Sequence, residues 1–362
     1  MRPDDIALAQ LMWIENQLGS PIGHRVDIAG REPVQAITWL RRGQGALGKQ
    51  VREKLGRGWD TASRLFAESV LAQDATVCEP GGTTHLVRVS EVLPPAMHQL
   101  HDAPIGVRVR GNPQVVSHPF RVAIVGSRRP RADSAACARR MASQLAGSGA
   151  CIVSGLAIGV DTAAHLGALD AGGATIAVLG SGLDSVHPAS NRALAHRIEC
   201  SQGALVSEYP NLTPARPHQF AARNRLIAAL ADVVVLIQAR HRSGSMITAR
   251  RALETNADIG AVPGWIGDPE FEGSLALIRD GATVITDAND VRGLLGLPIE
   301  SSGAAHPIQR HLNAPRSLDE LTHLTQASAL DLSRSLLDLE LAGLVAATPD
   351  GRWINRTTVA AP

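Results

Sequence analysis

Short apolar runs recur through the middle of the chain, at residues 122–125, 151–153, 175–179, 204–206, 233–237, 259–262 and 283–285. Segments of helical character separate them, among them 134–146 and 160–171. Runs this short and this apolar suit strands buried on both faces. Such strands alternating with helical crossovers predict βαβ units and a mainly parallel sheet. The expected fold class is therefore α/β, a doubly wound, mainly parallel sheet over residues 121–292.

The flanks are patterned differently. Residues 6–18, 33–40 and 62–71 read as short helices, so residues 1–90 are expected to form a small, mostly helical domain. Residues 91–120 then form a connecting extended segment, and the Gly, Pro and Ser of 293–310 mark a linker. Residues 311–362 predict a winged-helix module: a helix at 318–324 capped by Ser317, a second at 327–342, and a hairpin around Pro349-Asp350-Gly351. The second helix carries Asp331, Asp338 and Glu340 against Arg334 alone. A DNA-reading helix needs positive charge facing phosphate, so a structural or protein-binding wing is favoured.

Composition narrows the function. No stretch approaches the ~18 consecutive apolar residues of a membrane span, and Met1-Arg2-Pro3-Asp4-Asp5 lacks the layout of a signal peptide. Cys78, Cys137, Cys151 and Cys200 are far apart with no CxxC pair, which disfavours a zinc ribbon or disulfide framework and fits a cytoplasmic protein. The net charge of +1 hides an asymmetry: residues 121–256 hold 15 Arg against 8 Asp and Glu, leaving −6 for the rest. A basic central segment points to an anionic ligand. Lys49 and Lys54 are the only lysines, so arginines must supply the contacts.

The candidate chemistry sits where the strands end. The first strand runs into Gly126-Ser127-Arg128, the second into Ser154-Gly155 and on to Gly159, and the third into Gly180-Ser181-Gly182. Ligands of open α/β sheets bind outside the carboxyl ends of the strands, where helix N-termini offer N–H groups and Gly lets the backbone approach a phosphate. Arg223-Asn224-Arg225, Arg240-His241-Arg242 and the Ser243-Gly244-Ser245 turn leading to Thr248 extend this anion-binding rim.

A nicotinamide site is disfavoured, because no GxGxxG follows Gly126 and no acidic residue ends the second strand. Gly43 to Lys49 spells most of a phosphate-binding P-loop, but Gln50 replaces the hydroxyl that would hold Mg²⁺, and a helix end precedes it. Pro80-Gly81-Gly82-Thr83-Thr84 reads as a turn. Asp161 is expected to act at a helix start, and His165, one turn on, to make a local helix contact. Glu208 is the best carboxylate near a strand end but lacks an evident partner. No catalytic residues, metal site or cofactor are expected.

Together, Gly126-Ser127-Arg128, residues 152–165 (IVSGLAIGVDTAAH), 176–183 (IAVLGSGL), Ser207-Glu208-Tyr209-Pro210, Arg223-Asn224-Arg225, 243–249 (SGSMITA) and Val262-Pro263-Gly264 closely resemble the DprA/Smf family, DNA-processing protein A. The resemblance runs from about residue 121 to 290 and implies that the doubly wound sheet is an extended Rossmann-like domain. It implies a cytoplasmic bacterial protein that binds incoming single-stranded DNA during natural transformation, forms a homodimer through the Rossmann-like domain and loads a RecA-type recombinase, without catalysing a reaction. It further implies that Ser127, Arg128, Arg223 and Arg225 contact the DNA backbone, that Ser154, Gly155 and Gly159 shape the pocket, and that Ser243, Gly244, Ser245 and Thr248 line its far side. The chain departs from the family at Phe220-Ala221-Ala222, where Phe-Pro is usual, and at Gln238, where an acid is common. The alternatives are a nucleotide-binding enzyme or sensor using the same rim, an adaptor, and a divergent role in defence against foreign DNA.

Overall fold

The computed structural model describes residues 3–18, 33–43, 45–56, 58–65, 67, 84–88, 93–100, 102–104, 106–299, 308–341 and 344–355. The chain divides into two units, residues 1–298 and 299–362.

The first unit opens with helices α1 (Pro3–Leu18), α2 (Pro33–Arg41) and α3 (Gly45–Leu55), followed by helical residues 59–65. Their apolar faces meet in a core of Leu8, Ile14, Leu40, Leu47, Val51 and Trp59. The P-loop-like stretch is the start of α3, with Leu47 and Val51 buried in that core. It follows a helix where a phosphate-binding loop follows a strand. Residues 80–83 and 68–71, read as a turn and a helix end, lie outside the described residues.

The remainder of this unit is built on a nine-stranded sheet in the order β1-β2-β6-β5-β4-β3-β7-β8-β9. All seven predicted parallel strands are present: β3 (Arg121–Val125), β4 (Cys151–Ser154), β5 (Thr175–Val178), β6 (Ala204–Ser207), β7 (Val233–Leu236), β8 (Asp258–Ala261) and β9 (Thr283–Val284). Two further strands, β1 (Thr84–Arg88) and β2 (Gly106–Gly111), extend the sheet antiparallel beyond β6, with the short helix α4 (Ala96–Gln99) between them. The segment expected to connect two domains thus supplies part of the sheet.

Alternation along each central strand explains the burial on both faces. Val122, Ile124, Val233 and Val235 pack on one face with α5 (Ala132–Gly147), α6 (Val160–Asp170) and α11 (Ala288–Leu295). Ala123, Val125, Val234 and Leu236 pack on the other with α8 (Pro217–Ala229), α9 (Gly244–Glu254) and α10 (Glu272–Arg279). Helix α7 (Arg192–Glu199) covers β5 and β6 through Leu194, Ala195 and Ile198. Helix α11 runs into the segment read as a linker and stops at Gly296 in the left-handed conformation.

The second unit follows the predicted pattern. Ser317 accepts from the Glu320 amide at 3.2 Å while Glu320 accepts from the Ser317 amide at 2.9 Å, a capping box that starts α12 (Leu318–Thr325). Helix α13 (Ala329–Leu341) and the antiparallel pair β10 (Val345–Ala347) and β11 (Trp353–Asn355) complete a winged helix around Leu312, Leu321, Leu332 and Leu336.

Among the described residues, no helix is long and apolar enough to cross a membrane, and no cluster of His, Cys, Asp and Glu is arranged to hold a metal ion.

Candidate functional site

The chain winds outward from β3 through β4, β5 and β6, then returns to lay β7 on the other side of β3. The crossover after β3 leads to α5 on one face and that after β7 to α9 on the other. Diverging crossovers leave a crevice outside the carboxyl ends of the two strands, the usual ligand position in open α/β sheets. A cleft of 560 Å³ lies there. Ser127 and Arg128 line it from β3, Phe220, Arg223 and Asn224 from α8, and Ser243, Gly244, Ser245 and Thr248 from the start of α9.

The cleft is basic. Arg128, Arg129, Arg223, Arg240 and Arg242 line it, against Asp161 and Glu270. Arg128, Arg129, Arg240 and Arg242 are exposed. Glu270 is engaged by Arg240 (Nε to Oε1 2.8 Å), which holds its carboxyl below the ordinary range. At the start of α9 the Ser243 hydroxyl makes no capping bond and instead meets the Ser245 hydroxyl at 2.9 Å. Asn224 donates to the Gly244 carbonyl at 3.0 Å, fixing this turn against α8. The Arg128 guanidinium lies 5.7 Å from the centre of the Phe220 ring, and the His187 ring lies 5.5 Å from it on a tilted plane.

Beneath the rim the groups are buried and tied to one another. Arg223 is 3% exposed; its Nη1 donates to the Gly155 carbonyl at 2.7 Å and to the Val178 carbonyl. Burial lowers its guanidinium to about 10, so it remains charged at neutral pH. Asp161, in the first turn of α6, accepts from the amides of Gly155 (3.1 Å) and Ala157 (3.3 Å) in the preceding loop. It ties that loop to the helix rather than capping it, since the N-cap is Gly159 and has no side-chain cap bond. Burial pushes its carboxyl up, opposed by the charge of Arg223 and by these donors. The Ser154 hydroxyl is buried and donates to the Ile124 carbonyl at 2.7 Å. Gly159 has φ +89°, and a β-carbon there would strike the Ser127 carbonyl. Glycine therefore lets the start of α6 close against the β3 turn.

His165 does not make the local contact expected of it. Its Nδ1 lies 2.8 Å from the Thr175 hydroxyl, which donates to the Ile152 carbonyl at 2.7 Å. The hydroxyl proton is thus used, which assigns the imidazole proton to Nδ1 and leaves the buried Nε2 without a partner among the described residues. Burial, aided by Arg223, lowers His165 from 6.5 to about 3. Its folded value lies below its unfolded one, so its contribution is complete above about 6.5 and drains away as pH falls towards 3. The protein should lose about 2–3 kcal/mol between pH 7 and pH 4.5 through this residue. Urea unfolding at the two pH values checks this, since His165→Asn should flatten that part of the pH dependence.

The two arginines of the Arg-Asn-Arg triplet diverge. They lie within α8, which starts at Pro217, and successive helical residues are turned by about 100°. Phe220, Arg223 and Ile227 therefore share the cleft face, and Arg225 points away. Its guanidinium forms a two-pronged pair with Glu208 (3.1 and 2.7 Å), and its Nε donates to Asp102, at 3.1 Å from the carbonyl and 3.2 Å from Oδ2. Glu208 thus has the partner that its sequence context did not reveal.

Of the residues expected at the site, Ser127, Arg128, Arg223, Ser243, Gly244, Ser245 and Thr248 line the cleft. Ser154, Gly155 and Gly159 lie behind it as support, and Arg225 lies in the ion cluster. The residues expected to contact DNA left out Arg129, Asn224, Arg240, Arg242 and Glu270, although Asn224, Arg240 and Arg242 stood in segments assigned to the anion-binding rim. Arg129 and Asn224 adjoin the motifs and were findable, whereas nothing around Glu270 in Asp268-Pro269-Glu270 signals a cleft.

Residues 84–296 match the family model for DNA recombination-mediator protein A, and residues 299–351 that for the DprA winged helix domain. The Smf protein of Escherichia coli K12 is 33% identical over 344 residues, covering 89% of this chain and 91% of that protein. Among solved structures, DNA processing protein A of Streptococcus pneumoniae aligns with a TM-score of 0.61 at 29% identity, over 80% of this chain and 92% of that one. The Helicobacter pylori protein, whose structure addresses its single-stranded DNA binding mode, aligns with a TM-score of 0.53 at 33% identity, over 59% and 95%. With matched sequence running through both the sheet and the winged helix, the chain belongs to the DprA/Smf family of DNA recombination mediators.

Proposed function

We propose that the cleft holds the sugar-phosphate backbone of single-stranded DNA and that the protein works by binding rather than by catalysis. The observation that carries this reading is the gathering of five arginines, Arg128, Arg129, Arg223, Arg240 and Arg242, around an uncapped helix start at the switch point of the sheet. Backbone amides, hydroxyls and guanidinium groups bind phosphate without reading a base. Ser127, Arg128, Ser243, Gly244 and Ser245 form the contact surface, and Thr248, which lines the cleft but is 1% exposed, supports it from within. Arg223, with Ser154, Gly155 and Gly159, holds it in shape. On this reading the protein is cytoplasmic, acts as a homodimer and passes the strand to a RecA-type recombinase during DNA uptake, as its family membership supports.

Binding through phosphates releases counterions, so affinity for single strands should fall steeply with salt and depend little on sequence. Arg128→Ala should weaken binding roughly tenfold and reduce the slope of log K against log salt by about 0.7, one phosphate contact on a single strand. Fluorescence anisotropy with a labelled oligo-dT across salt concentrations measures both quantities. Saturable binding or turnover of a mononucleotide, with no oligo-dT binding at low salt, would replace this reading by a nucleotide site.

A further inference from the structure

We propose that Trp265, on the turn after β8, is a stacking platform for a nucleobase of the strand whose phosphates the neighbouring cleft holds. The inference rests on the single-strand reading and adds the contact that engages a base.

Trp265 is 80% exposed and its neighbour Ile266 94%. The chain has five Trp, four Phe and one Tyr, and Trp265 is the one exposed aromatic among the described residues. Phe271 and Trp59, by contrast, are 6% and 5% exposed. An indole left in water is a large apolar surface, here with no partner among the described residues.

The turn is held firmly at its base. The Asp268 amide donates to the Trp265 carbonyl at 3.2 Å, and Gly267 takes φ +86°, so the chain reverses with residues 265 and 266 at its tip. Asp268 pairs with Arg131 at 2.8 Å and accepts from the Glu270 amide at 3.0 Å. Phe271 donates to the Asp268 carbonyl at 3.0 Å and buries its ring. Two residues beyond Asp268, Glu270 lines the cleft and binds Arg240. The apolar tip therefore projects from a fixed polar base that is continuous with the cleft wall.

The location selects the occupant. The turn follows the carboxyl end of β8, which pairs with β7, so it stands at the same end of the sheet as the cleft. We place this tip on the path of a strand leaving the cleft past Arg240, because Glu270 of the same segment lines the cleft and holds that arginine. Every base has a π face, so a rigid exposed indole engages any of them without adding sequence preference. Phe220, inside the cleft, already carries Arg128 and His187 against its ring.

Oligo-dT binding by the full chain, followed by anisotropy across salt, tests this. Trp265→Ala should weaken binding about tenfold, and Trp265→Phe should retain most of the affinity. The salt slope should stay unchanged, because a stacked base releases no counterion. A strand with abasic sites in place of its bases should bind the wild type more weakly and show no further loss with Trp265→Ala. Equal affinity of wild type and Trp265→Ala for oligo-dT overturns the proposal, as does an equal loss on the abasic strand. Dissociation of a self-associated species by Trp265→Ala in sedimentation, with oligo-dT affinity unchanged, overturns it in favour of a second copy of the chain. Failure of the wild type to bind oligo-dT at low salt is a separate result, and it removes the single-strand reading itself.

Discussion

Arg223→Met should destabilise the protein by about 3–5 kcal/mol, the cost of stripping one partner from a buried charged arrangement. The side chain is 3% exposed, and its Nη1 is shared by the Gly155 and Val178 carbonyls at the ends of β4 and β5. Methionine fills similar volume but leaves both carbonyls without that donor and Asp161 without its counter-charge. Asp161 is already raised by burial. The native state therefore holds that proton more tightly than the unfolded chain does, and stability falls as pH rises through the folded value. Loss of Arg223 enlarges this effect. Asp161→Asn in the Arg223→Met background should consequently recover part of the loss, whereas strictly additive effects in urea unfolding would deny the charge coupling. Arg223 is thus a poor probe of DNA contact, because its loss deforms the cleft whether or not it touches phosphate. Arg128, exposed on the rim, is the better one.

Arg225→Ala should cost a similar 3–5 kcal/mol and yet leave the salt dependence of DNA binding unchanged. The Arg225 side chain is 7% exposed and its partner Glu208 is 14% exposed. The two-pronged pair joins α8 to the end of β6, and Asp102, which also lies 3.8 Å from Arg251 of α9, brings in the segment before β2. Removing the guanidinium strands a largely buried carboxylate. Glu208→Gln keeps the shape and an acceptor, so it should cost less. Unfolding midpoints give the stability, and anisotropy on the folded protein at moderate temperature gives the salt slope. A slope reduced by about 0.7, as for Arg128→Ala, would make Arg225 a phosphate contact instead of a strut.

The contrast between these two arginines marks where sequence reasoning reaches. They stand two residues apart in one motif, and the resemblance assigned both to DNA. Helical phase alone, about 200° over two residues, separates their directions. That phase was readable once the helix was placed over both positions. The identity of the partners was not, because Glu208 and Asp102 lie 17 and 123 residues away and only the folded sheet brings them together. His165 makes the same point. The carboxylate one turn earlier was its expected neighbour, but the side chain instead reaches Thr175 across the crossover.

The parallel strands were readable because burial on both faces leaves a near-continuous apolar run, a pattern that survives in one dimension. The Gly, Ser and Arg residues at their carboxyl ends were readable for a related reason: in an open α/β sheet, chain direction alone decides which end carries the ligand. The antiparallel edge was less so. Strand β2 alternates valine with Arg108 and Arg110 and depends on β6 for its place, so its own sequence indicates extension but not a position in the sheet.

By itself, then, the sequence determined the sheet, its polarity, the winged-helix pattern and the basic character of one end. All of these follow from local periodicity and the order of charges along the chain. Tertiary structure alone decided which arginines face the cleft and which act as struts, where Glu270 meets Arg240, and that Trp265 stands exposed on the turn after β8. Those outcomes depend on the phase of a helix against a distant carboxylate, and on which surfaces neighbouring elements leave uncovered.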